Sequence, residues 1–327
     1  KAAALLGAAV MMISALAGCG KNTKVVLTAG LKKNEVFRIS SASCVLPEVM
    51  VYLTNMQNQY ESVYGSQIWN ASDGQLSLEQ EEREQVLTQL ARIKVMNLLA
   101  QKKEVTLDDK EKERAAAAGR EYFTSLNSAE VTALNVTQDL ITKMYEEYAL
   151  AEKVYQTIVE NVNPEVSDDE ARTITVDMIR VSDSAKASQV LGKAKEEGVD
   201  FETLAQAESE DQTVTQSFGK GEVSEALEKA AFNLGKDEIS DVVESDGSYY
   251  ILKCISTFDE AQTKANKEKI VKQRQSEAFD TEYTAFEQTL VRQLNEELWN
   301  SVTMIHQDDV KTSSFFEVYQ MYFQHQE

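Results

Sequence analysis

Few residues in this chain are equipped for nucleophilic, metal or phosphate chemistry. Its 327 residues include two histidines, His306 and His325, both near the C-terminus. That excludes most histidine-based triads and multi-histidine metal sites, which need imidazoles drawn from several parts of a fold. Ser209 and Ser248 have no histidine nearby to activate them and are not nucleophile candidates. Lys and Arg number 33 against 54 Asp and Glu, a net charge of −21, which argues against nucleic acid because phosphate binding needs a basic face. With 43% hydrophobic and 27% charged residues the chain has the makings of an ordinary folded core, and its length suggests two domains. Two prolines and 13 glycines leave helices few interruptions.

The three cysteines divide by setting. Lys1 precedes an apolar run, Ala2 to Ala17, that is shorter than the roughly 20 residues a membrane-spanning helix needs. It ends in Leu16-Ala17-Gly18-Cys19 and gives way to polar residues, the layout of a secretory signal peptide over 1–18. The cysteine directly after Leu-Ala-Gly resembles a bacterial lipobox. The resemblance implies lipidation of Cys19 and an extracytoplasmic protein, lipid-anchored to the bacterial cell membrane, since each buried CH₂ of an acyl chain is worth about 0.8 kcal/mol. Cys44 and Cys254 are either a disulfide pair or two buried free thiols, and a chain of this size favours the thiols because it needs no staple.

The elements that must position any site follow from periodicity. Lys24–Leu27 and Val36–Ile39 read as a small hairpin or a pair of peripheral strands. Val86, Leu90, Ile93 and Met96 mark one helix face, and Ile141, Met144, Tyr148, Ala151, Tyr155 and Ile158 a longer one. Asn163-Pro164 ends that helix, and Ser167-Asp168-Asp169-Glu170 signals a new start, the best domain boundary in the chain. Beyond it Ile174–Val181 alternates as a strand, Ser184–Glu197, Phe201–Ala207 and Glu225–Asn233 read as helices, and Asp246-Gly247 is a hairpin turn between two strands. Helix returns from Glu260, with Phe279, Tyr283, Phe286, Leu290, Leu294 and Leu298 as one stripe, and the last aromatic-rich segment is expected to close back onto the first helical region.

Residues 172–258 resemble the parvulin family of peptidyl-prolyl isomerases. The resemblance rests on Asp200-Phe201-Glu202-Thr203-Leu204-Ala205, Ser209-Glu210-Asp211, Phe218-Gly219-Lys220-Gly221, Ala230-Ala231-Phe232-Asn233-Leu234, Gly235 to Ser240, and Tyr249-Tyr250-Ile251-Leu252-Lys253, all in the family's order. The layout as a whole is similar to extracytoplasmic foldases of the PrsA and SurA type. The fold this implies is α+β: a helical, chaperone-like body built from N- and C-terminal segments, with an inserted parvulin-like domain of a small antiparallel sheet plus helices. The corresponding boundaries are a lipidated tether with short strands over 19–44, an N-terminal helical region over 45–169, the parvulin-like domain over 170–258, and a C-terminal helical region over 259–327 that packs on the N-terminal one.

Prolyl isomerisation breaks no bond. It must lower a barrier of about 18–20 kcal/mol that amide resonance creates, by holding the twisted peptide better than the planar one. The resemblance places an acidic catalytic position at Asp211, two histidine positions at Met178 and Tyr250, and an apolar proline socket at Val223, Leu227 and Phe232. Both imidazoles are therefore replaced, which predicts a weakened active site with peptide binding better preserved than turnover; a non-catalytic chaperone or scaffold is the alternative. No metal or cofactor is implied, and the partners implied are unfolded or newly secreted polypeptides. Nothing in the sequence sets the oligomeric state.

Overall fold

The computed structural model describes residues 30–72 and 77–323. The chain divides into two compact units, one made of residues up to Asn161 with those from Ser276 onward, the other of Val162–Gln275. The expected signal peptide, Cys19, His325 and the strand piece Lys24–Leu27 lie outside the described residues. Among the described residues no helix is long and apolar enough to cross a membrane, and no group of three or more His, Cys, Asp or Glu is placed to hold a metal ion. Cys44 and Cys254 are both buried free thiols.

The larger unit is helical because its sequence writes a start signal ahead of each helix. α1 (Leu46–Tyr64) carries Pro47 in its first turn, and Glu48 reaches back to accept from the Val45 amide. α2 (Leu78–Lys102), α3 (Asp109–Ser125) and α4 (Ser128–Leu134) begin with reciprocal capping boxes at Ser77/Gln80, Asp108/Glu111 and Asn127/Glu130. α5 (Gln138–Val159) is capped by Thr137. Val86, Leu90, Ile93 and Met96 of α2 are buried, and so are Ile141, Met144, Ala151 and Ile158 of α5.

Two expectations for this unit change. Val36–Ile39 lies within β1 (Glu35–Ile39), whose hairpin partner is β2 (Ala42–Val45), reached through a turn in which Ser40 adopts φ 50°. The apolar stripe from Phe279 to Leu298 is not one helix. The long helix Glu260–Glu287 carries Phe279, Tyr283 and Phe286 and ends partway along it, Leu294 sits opposite Phe37 in a strand, Arg292–Leu294, on the free edge of β1, and Leu298 belongs to a separate turn of helix. Backbone pairing with a strand some 250 residues away satisfies the peptide groups that a continuous helix would have satisfied locally.

An extended segment, residues 302–314, is then held by side-chain amides of α1 in place of a backbone ladder. Asn58 Nδ2 donates to the carbonyls of Val310 and Thr312, Gln59 Nε2 to that of Ser313, and Gln57 exchanges two hydrogen bonds with Ile305. The segment leads into a terminal helix, Phe315–Phe323. There Phe315 stacks on Tyr145 at 4.5 Å and meets Tyr52 and Tyr122.

The smaller unit is built on a four-stranded antiparallel sheet. Its strands are β3 (Ile174–Val181), β4 (Thr215–Phe218), β5 (Val243–Ser245) and β6 (Ser248–Ser256), in spatial order β4-β3-β6-β5. The period of two along β3 decides what each face buries. Ile179 and Val181, with Ile251 of β6, pack under the helices Ser184–Ala194 and Phe201–Glu208. Ile174, Val176 and Met178, with Leu252 and Cys254, pack on the opposite face against the helix Glu225–Phe232. The β5–β6 turn carries Asp246 and Gly247 at φ 49° and 73°, the pair of positive values that matches strand twist in a two-residue hairpin.

Candidate functional site

The structure gathers five of the six residues that the resemblance implies for the smaller unit on one face of its sheet. Met178 and Leu227 belong to one buried apolar cluster, and Val223, Phe232 and Tyr250 pack against it half-buried. Period two along β3 and β6 explains Met178 and Tyr250, and the helix over Glu225–Phe232 brings Leu227 and Phe232 down onto them. Met178 and Leu227 are only 6% and 8% exposed, so little of either is open to a ligand.

Phe232 is closely attended. Its ring lies 6.2 Å from Phe218, with the Arg172 guanidinium 4.9 Å and the Lys220 ammonium 5.7 Å from its centroid. Asp169 bridges the same two cations, at 3.0 Å to Arg172 and 2.7 Å to Lys220, and Lys220 holds its carboxyl below the ordinary carboxylate range.

Asp211 stands beside the cluster rather than in it. Its Oδ1 accepts from Arg180 Nε at 2.8 Å, and its backbone amide donates to Ser209 Oγ at 3.2 Å. The same Ser209 hydroxyl accepts from the Arg180 amide, and the Glu210 amide donates to the Arg180 carbonyl at 2.8 Å. The Ser209-Glu210-Asp211 turn is thus laced to β3 at one residue. That residue shares a strand face with Met178, sits opposite Tyr250 in the ladder, and donates through Nη1 to Ser248 Oγ at 3.2 Å. Asp211 raises the pKa of the guanidinium, which stays charged.

Arg180 and Ser248 are the site residues that sequence reasoning missed. One signal was available: Arg180 is a charged residue in the same phase as the inward-facing Ile174, Val176 and Met178. A cavity of about 470 Å³ elsewhere in this unit is lined by Ala230, Leu234, Ile239 and Val243 beside the Lys195–Asp241 ion pair. None of the residues implied by the resemblance lines it.

The site can desolvate a small apolar group, beside a charge-paired hydrogen-bond donor. Among the described residues it holds no imidazole, His306 belonging to the other unit.

Residues 152–269 match the model of the PPIC-type PPIase (peptidyl-prolyl isomerase) domain. Foldase protein PrsA of Streptococcus pneumoniae (strain Hungary19A-6) is 31% identical over 165 residues, covering 45% of this chain and 53% of the relative. The protein of strain CGSP14 matches to the same extent, so the chain spans about half the length of the curated relatives it matches. Among solved structures, the PrsA peptidylprolyl isomerase of Bacillus cereus aligns with a TM-score of 0.38 at 19% identity, covering 74% of this chain and 91% of that one. A SurA-like chaperone of Campylobacter jejuni aligns with a TM-score of 0.31 at 10% identity, covering 80% and 99%. The smaller unit therefore matches the PPIC-type PPIase domain over most of its length, and the chain that carries it is similar to the PrsA foldases.

Proposed function

We propose that this chain is a membrane-anchored extracytoplasmic foldase. Its parvulin domain binds proline-containing segments of newly secreted polypeptides and isomerises them slowly. The observation that carries this reading is the convergence of Met178, Val223, Leu227, Phe232 and Tyr250 on one sheet face with Asp211 tethered alongside. An apolar surface of that kind desolvates a proline ring. The polar half is depleted, because both histidine positions hold other side chains and the Asp211 carboxylate is engaged by Arg180. In this reading residues 45–169 and 259–327 form the chaperone body around the domain at 170–258, and a lipid on Cys19 holds the whole at the membrane.

The test is cis-to-trans conversion of a proline tetrapeptide by the full chain, beside a parvulin that keeps both histidines. Turnover at least about tenfold lower, a deficit of roughly 1.4 kcal/mol or more in transition-state stabilisation, is expected. Equal turnover refutes the weakened site. For the anchor, Cys19→Ala should release the protein from membranes or stall its processing, and unchanged retention with normal maturation refutes it.

The burial of Met178 and Leu227 favours a second reading, a holding chaperone with a non-catalytic parvulin domain. It predicts suppressed aggregation of an unfolded client at near-stoichiometric ratios with no acceleration of isomerisation.

A further inference from the structure

We infer that Arg180 supplies the polar half of the isomerase site, donating a hydrogen bond from Nη2 to the nitrogen of the bound proline as the peptide twists. The inference rests on the isomerase reading above and names the group that performs it.

Three observations carry it. The first is placement: alternation along β3 puts Arg180 on the face of Met178, and the ladder sets it opposite Tyr250, so it extends from the same sheet face as the apolar cluster. The second is anchoring from two sides. Nε donates to Asp211 Oδ1 at 2.8 Å and Nη1 to Ser248 Oγ at 3.2 Å, fixing a planar fork between the turn that holds Ser209 and strand β6. The third is the remaining capacity. Nη2 makes no hydrogen bond among the described residues, and the side chain as a whole is 31% exposed.

The chemistry selects the atom that Nη2 meets. In the planar peptide the nitrogen lone pair is delocalised into the carbonyl, and the nitrogen is a poor acceptor. Twisting about the C–N bond ends that delocalisation and returns the pair to nitrogen. A donor aimed there is therefore worth more in the transition state than in the ground state, the condition for raising kcat rather than lowering KM. No bond forms or breaks and no proton changes owner. Asp211 and Ser248 are positioning residues in this scheme, and Asp211 balances the charge that the guanidinium keeps.

The test uses the full chain and two measurements, peptide binding and isomerisation of the same proline tetrapeptide. Arg180→Met should lower kcat by at least about tenfold, equivalent to roughly 1.4 kcal/mol, while peptide Kd moves less than about threefold. Arg180→Lys should restore part of the rate. Asp211→Asn and Ser248→Ala, which keep the guanidinium but loosen it, should fall between wild type and Arg180→Met, and they carry the test if Arg180→Met fails to fold. A guanidinium keeps its proton throughout the working range, so wild-type kcat should be flat between about pH 6 and 9, without the inflection near 6.5 that an imidazole gives.

Wild-type rates in Arg180→Met, or in both looser variants, overturn the inference and leave the isomerase reading standing. An inflection near 6.5 overturns it as well. Peptide binding by the wild-type chain without turnover overturns both, and leaves the holding chaperone.

Discussion

Lys94 Nζ lies 3.1 Å from Glu48 Oε1 with both side chains almost wholly buried, at 2% and 1% exposed. Glu147 Oε2 completes the cation's surroundings at 2.6 Å, so α1, α2 and α5 meet at one ammonium. Burial opposes the charge, yet Glu48 and Glu147 together hold the Lys94 pKa above its ordinary value. Lys94→Ala removes the buried cation and leaves the Glu48 carboxylate with the Val45 amide and the exposed Lys143 ammonium, 3.7 Å away. The expected cost is about 3–5 kcal/mol, read from denaturant unfolding. A loss below about 1 kcal/mol would mean that Glu48 is solvated in a way its burial does not suggest.

Glu82 in α2 should make the helical unit less stable as pH rises. It is fully buried, neither carboxylate oxygen has a hydrogen-bond partner, and burial raises its pKa from 4.5 to about 7. Tyr60 is its titratable neighbour, its own pKa raised by burial and then by Glu82. An acid with a raised folded pKa keeps its proton in the folded chain where the unfolded chain has lost it. Its contribution to stability therefore falls between about pH 4.5 and 7 and stays low above that, by up to about 3 kcal/mol. Glu82→Gln should stabilise the protein at pH 8 relative to wild type by more than it does at pH 4.5. Urea unfolding of both proteins at both pH values checks this, and a difference independent of pH rejects it.

Asn55 ties the terminal helix to α1. Its Nδ2 donates to the Tyr122 hydroxyl and the Val51 carbonyl, and its Oδ1 accepts from the Phe315 amide at 3.0 Å. Asn55→Ala leaves the Phe315 amide and the Tyr122 hydroxyl short of partners in a buried setting. A loss of about 1–3 kcal/mol is expected, with faster hydrogen exchange at Phe315 than at amides within α5. Unchanged protection at Phe315 would count against this tether.

Gly247 gives a test free of packing. A Cβ there would meet nothing within 4 Å, and φ is +73°, so Gly247→Ala should cost only the left-handed penalty of roughly 1–2 kcal/mol. Thermal unfolding measures it, and the β5–β6 register should survive in the variant.

Features that depend on a few neighbouring residues were already legible in the sequence. Asp246-Gly247 specified the hairpin, Ser167 marked a helix start, and the alternation of Ile174–Val181 gave a strand. The helix expected over Ser184–Glu197 stops at Ala194, three residues early, its last turn closed by the Lys195 amide donating to the Leu191 carbonyl and its apolar residues Ala187, Val190 and Ala194 buried. The motif words fixed which residues to compare with a parvulin site, including the absence of imidazoles, because composition needs no coordinates.

The rest was decided by chain closure. Nothing near Val36–Ile39 shows that its second neighbour is Arg292–Leu294, and that pairing turned the end of an apparent helical stripe into strand. Arg180 reads locally as one polar residue in a strand, until the fold brings Asp211 and Ser248, 31 and 68 residues away, to its head group. Met178 and Leu227 read equally well as socket or core, and only their burial beneath the surrounding side chains separates the two. Propensity, capping and turn geometry act over a few residues and are carried by the sequence itself, whereas ion pairs, edge pairing and exposure depend on distances that exist only once distant segments have packed.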